Sequence, residues 1–198
     1  MWNEQRTRIQ ENWLWLDEID HVNVIVYSKT EKRFIFLRQR KYGLESTSYA
    51  TVGGFIEVAK GETGFEACRR EVKEEIGYTS AAELDSVRRH LPYDPKSDSD
   101  WIPLGRYRTA SNRGGGFLTS YLLKAAVPIP VEYLSEMGFA GLGTGDGVSG
   151  DEGGHADGEK QTVVKMTPAE ARSTLLQGGF QEVKWTASLA LALLHFDA

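Results

Sequence analysis

The segment GETGFEACRREVKEEIGY (61–78) sets the strictest condition on the fold. At about 100° per residue, Phe65, Cys68, Val72 and Ile76 share one helical face, which must pack on an apolar layer. A helix is expected from about Thr63 to Ile76, ended by Gly77. Glu71, Glu74 and Glu75 fall within roughly a third of its circumference, beside that apolar face. Two readings of the carboxylates stand. A solvated, salt-bridged face is favoured by Arg70, spaced i,i+4 with Glu74. Against it, Glu71 and Glu75 are like charges at i,i+4, and all three lie in the C-terminal turns, where the helix dipole opposes them. A hard divalent cation is the second reading, since it would relieve that repulsion and share its free positions with water or phosphate.

The layer under this helix is legible as strands. HVNVIVY (21–27) and RFIFLRQ (33–39) are β-branched or alternating, and SYATVGGF (48–55) runs into a glycine turn. Residues 79–102 combine one short segment with a Pro/Ser/Asp loop. Strands resume at LGRYRTA, GFLTSYLLKAAV and QTVVKM. Thr167, Pro168 and Glu170 carry helix-start chemistry, and WTASLALALLHF forms a last helix. The expected class is α+β or a three-layer sandwich, with residues 1–20 as an N-terminal segment and 21–198 as one domain. Residues 138–159, glycine-heavy and almost free of large apolar side chains, are expected to form a mobile loop.

Charge and composition narrow the partners. The 198 residues carry a net charge of −5 without a basic run, which argues against stable nucleic-acid binding. Cys68 is the single cysteine and reads as a small core residue, so no intrachain disulfide forms. The first residues lack a signal-peptide pattern, and SLALALL is too short to span a bilayer. A soluble, cytoplasmic protein is expected.

The stretch GGFIEVAKGETGFEACRREVKEEIGY (53–78) resembles the Nudix box, the signature of hydrolases that cleave nucleoside diphosphates linked to another moiety. Glu62 is followed by seven residues and then Arg70-Glu71-Val72-Lys73-Glu74-Glu75-Ile76-Gly77, at the spacing of that family. Tyr78 replaces the final aliphatic residue. Seven residues separate Gly54 from Glu62 where the family has five, the extra two lying in EVAKG. The resemblance implies an α/β/α sandwich with a mixed sheet and a central loop-helix motif. It implies Mg²⁺, with Mn²⁺ as its substitute, held chiefly by Glu71 and Glu75. Glu74 would support them, and the backbone carbonyl of Gly53 would face the same ion. Glu62 and Arg70 would pair to fix the loop onto the helix.

Features outside the box are similar to the ADP-ribose/nucleotide-sugar pyrophosphatase branch. FLRQRKYG (36–43) resembles its basic strand end, which makes Arg40 and Lys41 phosphate-binding candidates. Arg113, beside three glycines, lies where relatives turn over the substrate. Glu159 occupies the place of the branch's general base, with Glu152, Asp157 or His155 as substitutes. SYATVGG lacks the proline and glutamate of the branch's Glu-X-Pro-Ala-Gly. Trp13, Trp15 and Tyr42 are candidates to stack on a base, or are core and dimer contacts. Branch members are often homodimers, and the tryptophan-rich segment 1–20 can supply such a contact. The implied reaction splits ADP-ribose or a nucleoside diphosphate sugar into a nucleoside monophosphate and a sugar phosphate. A dinucleoside polyphosphate hydrolase and a non-catalytic nucleotide sensor are the alternatives.

Overall fold

The computed structural model of the protein describes residues 17–44, 46–111, 114–137, 153–154 and 160–196. Nine strands and four α-helices lie within these residues. They are β1 His21–Ser28, β2 Arg33–Gln39, β3 Ser48–Ala50, α1 Gly64–Ile76, β4 Tyr78–Ser80, α2 Ala81–Arg88 and β5 Trp101–Arg108. There follow β6 Phe117–Leu123, β7 Ala126–Pro128, β8 Gly153–Gly154, β9 Lys160–Met166, α3 Pro168–Leu176 and α4 Val183–Leu194.

Seven strands form one mixed sheet in the order β5-β6-β1-β2-β9-β8, with β3 also against β2. The β1–β6 pair is parallel, and the other pairs of this sheet are antiparallel. β4 and β7 make a small second sheet. Register assigns the faces. Asn23 lies opposite Ser120 in the parallel pair, and both meet Ser188 of α4, at 3.3 and 2.9 Å. The alternate residues of β6 face the other way, where Tyr121 lies 5.2 Å from the Phe65 ring of α1. α1 and α4 therefore cover opposite faces, giving the expected α/β/α layering. β1 is buried along nearly its whole length because it has a helix on each side.

Local chemistry accounts for α1. Thr63 is its N-cap in a reciprocal capping box with Glu66, and Gly77, at φ 68°, closes it with its N–H on the Lys73 carbonyl, 2.9 Å away. Ala67, Cys68 and Val72 are fully buried, and burying a valine side chain contributes roughly 1.5–3 kcal/mol. Thr167 and Glu170 form a second capping box, with proline at the first turn of α3.

Three features differ from the sequence expectation. The third strand is shorter than 48–55, because past Ala50 the chain leaves β2 and touches β1 only through the bridges Val24↔Val52 and His21↔Phe55. GFLTSYLLKAAV divides into β6 and β7, which belong to different sheets. The segment after the box contains β4 and α2, docked through buried Glu83, which takes Thr79 Oγ1 at 2.7 Å, Lys73 Nζ at 2.6 Å and the Arg69 guanidinium. Asp98 anchors the following loop by accepting from Ser80 and Tyr93 at 2.5 and 2.7 Å.

Replacing Thr63 by alanine removes one half of the α1 capping box. Urea denaturation should report a loss of about 1 kcal/mol, with an unchanged denaturant slope.

Candidate active site

One guanidinium joins the glycine loop to α1. Arg70 donates through Nε to Glu62 Oε1 at 2.8 Å and through Nη2 to Glu62 Oε2 at 3.1 Å and the Phe55 carbonyl at 2.9 Å. Its Nη1 donates to Glu71 Oε1 at 2.7 Å and Glu74 Oε2 at 2.9 Å. The bond to Glu62, followed by the neighbouring Glu71, raises the arginine pKa further. Glu62 is held below the usual carboxylate range, chiefly by Arg70. The expected Glu62–Arg70 pair thus forms although the loop is two residues longer. The added length is taken up by a 3-10 turn at Val58–Lys60, ended by Gly61 at φ 76°. Glu62 Oε2 also accepts the Glu57 N–H, 2.8 Å away, which closes the loop on itself.

The two glycines before this loop face opposite ways, and each is required by close approach. A Cβ on Gly54 would lie 2.1 Å from Glu71 Oε1, and one on Gly53 would lie 2.1 Å from the Val22 carbonyl oxygen. Their backbone is a thin wall between the carboxylates of α1 and the α4 side of the sheet. Gly53 donates its N–H to Glu75 Oε2 at 2.9 Å. Burial is the largest influence on Glu75 and pushes it up to about 8. The charge of Glu71 adds to this, while the Gly53 N–H, a bond from Gln161 and the charge of Lys41 oppose it.

A cavity of about 510 Å³ opens on this wall. Glu75, Gln39, Lys41, Gly53 and Gly54 line one end, and His21, Phe55 and Trp185 line the other. Lys41, just past the end of β2, is in the lining and its charge acts on Glu75, whereas exposed Arg40 is outside the lining. Glu71 is buried behind Gly54. Glu74, its side chain 41% exposed, and Arg70 are also outside the lining. Tyr42 is fully exposed and away from the cavity. Glu159, Glu152, His155, Asp157, Arg113, Trp13 and Trp15 lie outside the described residues, as do most of residues 1–20 and 138–159. Sequence reasoning did not single out His21, Thr51, Phe55, Gln161 or Trp185. Their proximity depends on strand register rather than on local spacing.

The donors present suit a hard divalent cation. Glu71 and Glu75 supply carboxylate oxygens around a cradle that a Cβ would fill, and burial, with the charge of Glu71 adding to it, disfavours the charged form of Glu75. Among the described residues no three acidic, histidine or cysteine side chains form a complete cage. The remaining positions would therefore fall to water and substrate.

Residues 18–110 match the NUDIX domain family model, a span that contains the whole box. That stretch of the chain is similar to NUDIX domains. A crystal structure of an ADP compounds hydrolase aligns with a TM-score of 0.59 at 18% identity, over 90% of this chain and 72% of that one. At that identity the likeness concerns the fold. A MutT structure from work on the fish pathogen Aliivibrio salmonicida and the mesophile Vibrio cholerae aligns with a TM-score of 0.45 at 15% identity, over 78% of this chain and 84% of that one. No match is found among the curated proteins. Among the described residues no helix is long and apolar enough to cross a membrane.

Two outcomes follow from this geometry. Gly54→Ala should displace the Glu71 carboxylate and reduce turnover at least tenfold while leaving far-ultraviolet circular dichroism unchanged. In EDTA, between the ordinary Glu value of 4.5 and about 8, the folded chain keeps a proton on Glu75 that the unfolded chain has released. Stability contributed by this group is therefore full below 4.5 and falls as pH rises towards 8. Melting temperatures of wild type and Glu75→Gln, measured in EDTA at pH 5 and pH 8, should show a smaller decline in the variant.

Proposed function

We propose that the protein hydrolyses the pyrophosphate of ADP-ribose or a related nucleoside diphosphate sugar, giving a nucleoside monophosphate and a sugar phosphate. The observation that carries this reading is the cavity of about 510 Å³. It joins a carboxylate-and-lysine end to an aromatic end, and its volume suits a small nucleotide. The fold shared with an ADP compounds hydrolase is consistent with it.

In this reading Glu71 and Glu75 would hold Mg²⁺ (or Mn²⁺), with Glu74 in support and the Gly53 carbonyl as a further oxygen donor. When bound, the cation neutralises the pyrophosphate oxygens and acidifies a water. Lys41 receives a phosphate at the carboxylate end, and Arg40 and Arg113 assist in holding the substrate. Glu159 removes the proton from the attacking water. The water oxygen bonds to one phosphorus in line, and the bridging P–O bond breaks to release the other phosphate with its substituent. Arg70 and Glu62 keep the loop and helix in register throughout. A homodimer contact through residues 1–20 and a cytoplasmic location complete the proposal.

Purified protein should be incubated with ADP-ribose, nucleotide sugars and diadenosine polyphosphates, in Mg²⁺ or EDTA, and the products resolved by chromatography. AMP and ribose phosphate should appear from ADP-ribose in Mg²⁺, and Glu75→Gln should lower the rate at least a hundredfold. Nucleotide binding without cleavage of any substrate would instead make this chain a sensor.

A further inference from the structure

Of Glu71, Glu74 and Glu75, it is Glu75 that lines the cavity, and two neutral donors meet it. One is the Gly53 N–H, 2.9 Å from Oε2. The other is the side chain of Gln161, near the start of β9. An ionised carboxylate only accepts, so the Gln161 amide N–H is the donor.

Strand register explains how β9 reaches α1. On β2, the Phe34 and Phe36 rings meet Phe196 and Phe180, which flank α4, at 5.0 and 4.9 Å. Alternation turns Ile35, Leu37 and Gln39 to the α1 face. β9 runs antiparallel to β2 with Lys165 opposite Ile35 and Gln161 opposite Gln39, so both share that face. Lys165 bears this out, its Nζ lying 5.7 Å from the centroid of the Tyr78 ring, just beyond α1. Gln161, earlier on the same strand face, meets Glu75 in the last turn of α1.

The chemistry of this contact suits one task. Glu71 and Glu74 accept from the Arg70 guanidinium, a full positive charge that competes with a metal for the same oxygens. An amide N–H carries no net charge. It fixes the direction of a carboxylate and leaves the remaining lone pairs to a cation. Gln161 is outside the cavity lining, so it acts through Glu75 and not on the nucleotide.

We infer that Gln161 is a positioning residue, whose amide N–H orients the Glu75 carboxylate towards the cation proposed for this site. This rests on the cation reading of α1 and the glycine wall. It adds a residue of β9, the strand that directly follows Glu159, to carboxylates that all come from α1.

Mn²⁺ titration of the whole protein at pH 7.5, followed by electron paramagnetic resonance, reads the metal site without turnover. Gln161→Met keeps the bulk of the side chain and removes its donors, and should raise the Mn²⁺ dissociation constant about tenfold. Thr162→Val, one position on and exposed on the other face of β9, should stay within about twofold of wild type. In turnover of ADP-ribose, the half-saturating Mg²⁺ concentration of Gln161→Met should rise in the same proportion, while KM for the nucleotide at saturating Mg²⁺ holds. A role in folding alone would lower the melting temperature and leave the Mn²⁺ affinity of the folded protein unchanged, which would overturn the inference. So would an equal loss of affinity in Thr162→Val. If Gln161→Met does not fold, Gln161→Ala is read in its place. Wild-type Mn²⁺ binding that the variant shares undiminished would sink this inference and spare the cation site, whereas no saturable binding to the wild type would sink both. Weakened Mn²⁺ binding in the variant, with no diphosphate cleaved by the wild type, would uphold the inference and overturn the proposed reaction.

Discussion

The five N–H donors of Arg70 are the constraint on which the site depends. A guanidinium is planar and permanently charged, so it can meet several oxygens at once in fixed directions. Here it joins Glu62 and the Phe55 carbonyl on the loop to Glu71 and Glu74 on α1. Without that cation, the loop would lose its tie to the helix and the carboxylates would repel one another unopposed. The longer box loop is accommodated because the Glu62–Arg70 pair specifies where the loop must end, not how many residues reach it. The 3-10 turn at Val58–Lys60 takes up the difference.

Close approach is the second requirement. Two successive glycines leave the wall between the faces of the sheet without side chains, so Glu71 can press against it from one side while Val22 and Asn23 approach from the other. Neither glycine is needed for an unusual backbone angle, since the positive φ values in this region belong to Gly61 and Gly77. The wall brings a desolvated carboxylate within reach of one end of the cavity. The thermodynamic result is a Glu75 that resists ionisation until its charge is compensated.

Much of this was legible in the sequence. The apolar stripe of α1, its glycine stop and the capping box at Thr167 are local patterns read within one or two turns, and each has its counterpart in the structure. The i,i+4 link between Arg70 and Glu74 was visible for the same reason. The aromatic end of the cavity was not legible, because His21, Phe55 and Trp185 are far apart in the chain. Only the register of β1 against the post-β3 segment, with α4 packed below, brings them together. Arg40 and Lys41 follow the end of β2, so strand alternation does not tell from the sequence which of them meets the cavity. The third strand was expected, but its early end at Ala50 was not legible, because the following residues keep strand preferences while their partner changes from β2 to β1.

In the proposed cation site of α1 and the glycine wall, occupation would remove a proton from Glu75. Mn²⁺ titration at pH 7.5, followed by electron paramagnetic resonance in a weakly buffered solution with a pH indicator, tests it most directly. Mn²⁺ should bind saturably with release of a proton, and both signals should be abolished in Glu71→Gln/Glu75→Gln. Saturable binding that survives in that double variant, or no binding to the wild type, would contradict it.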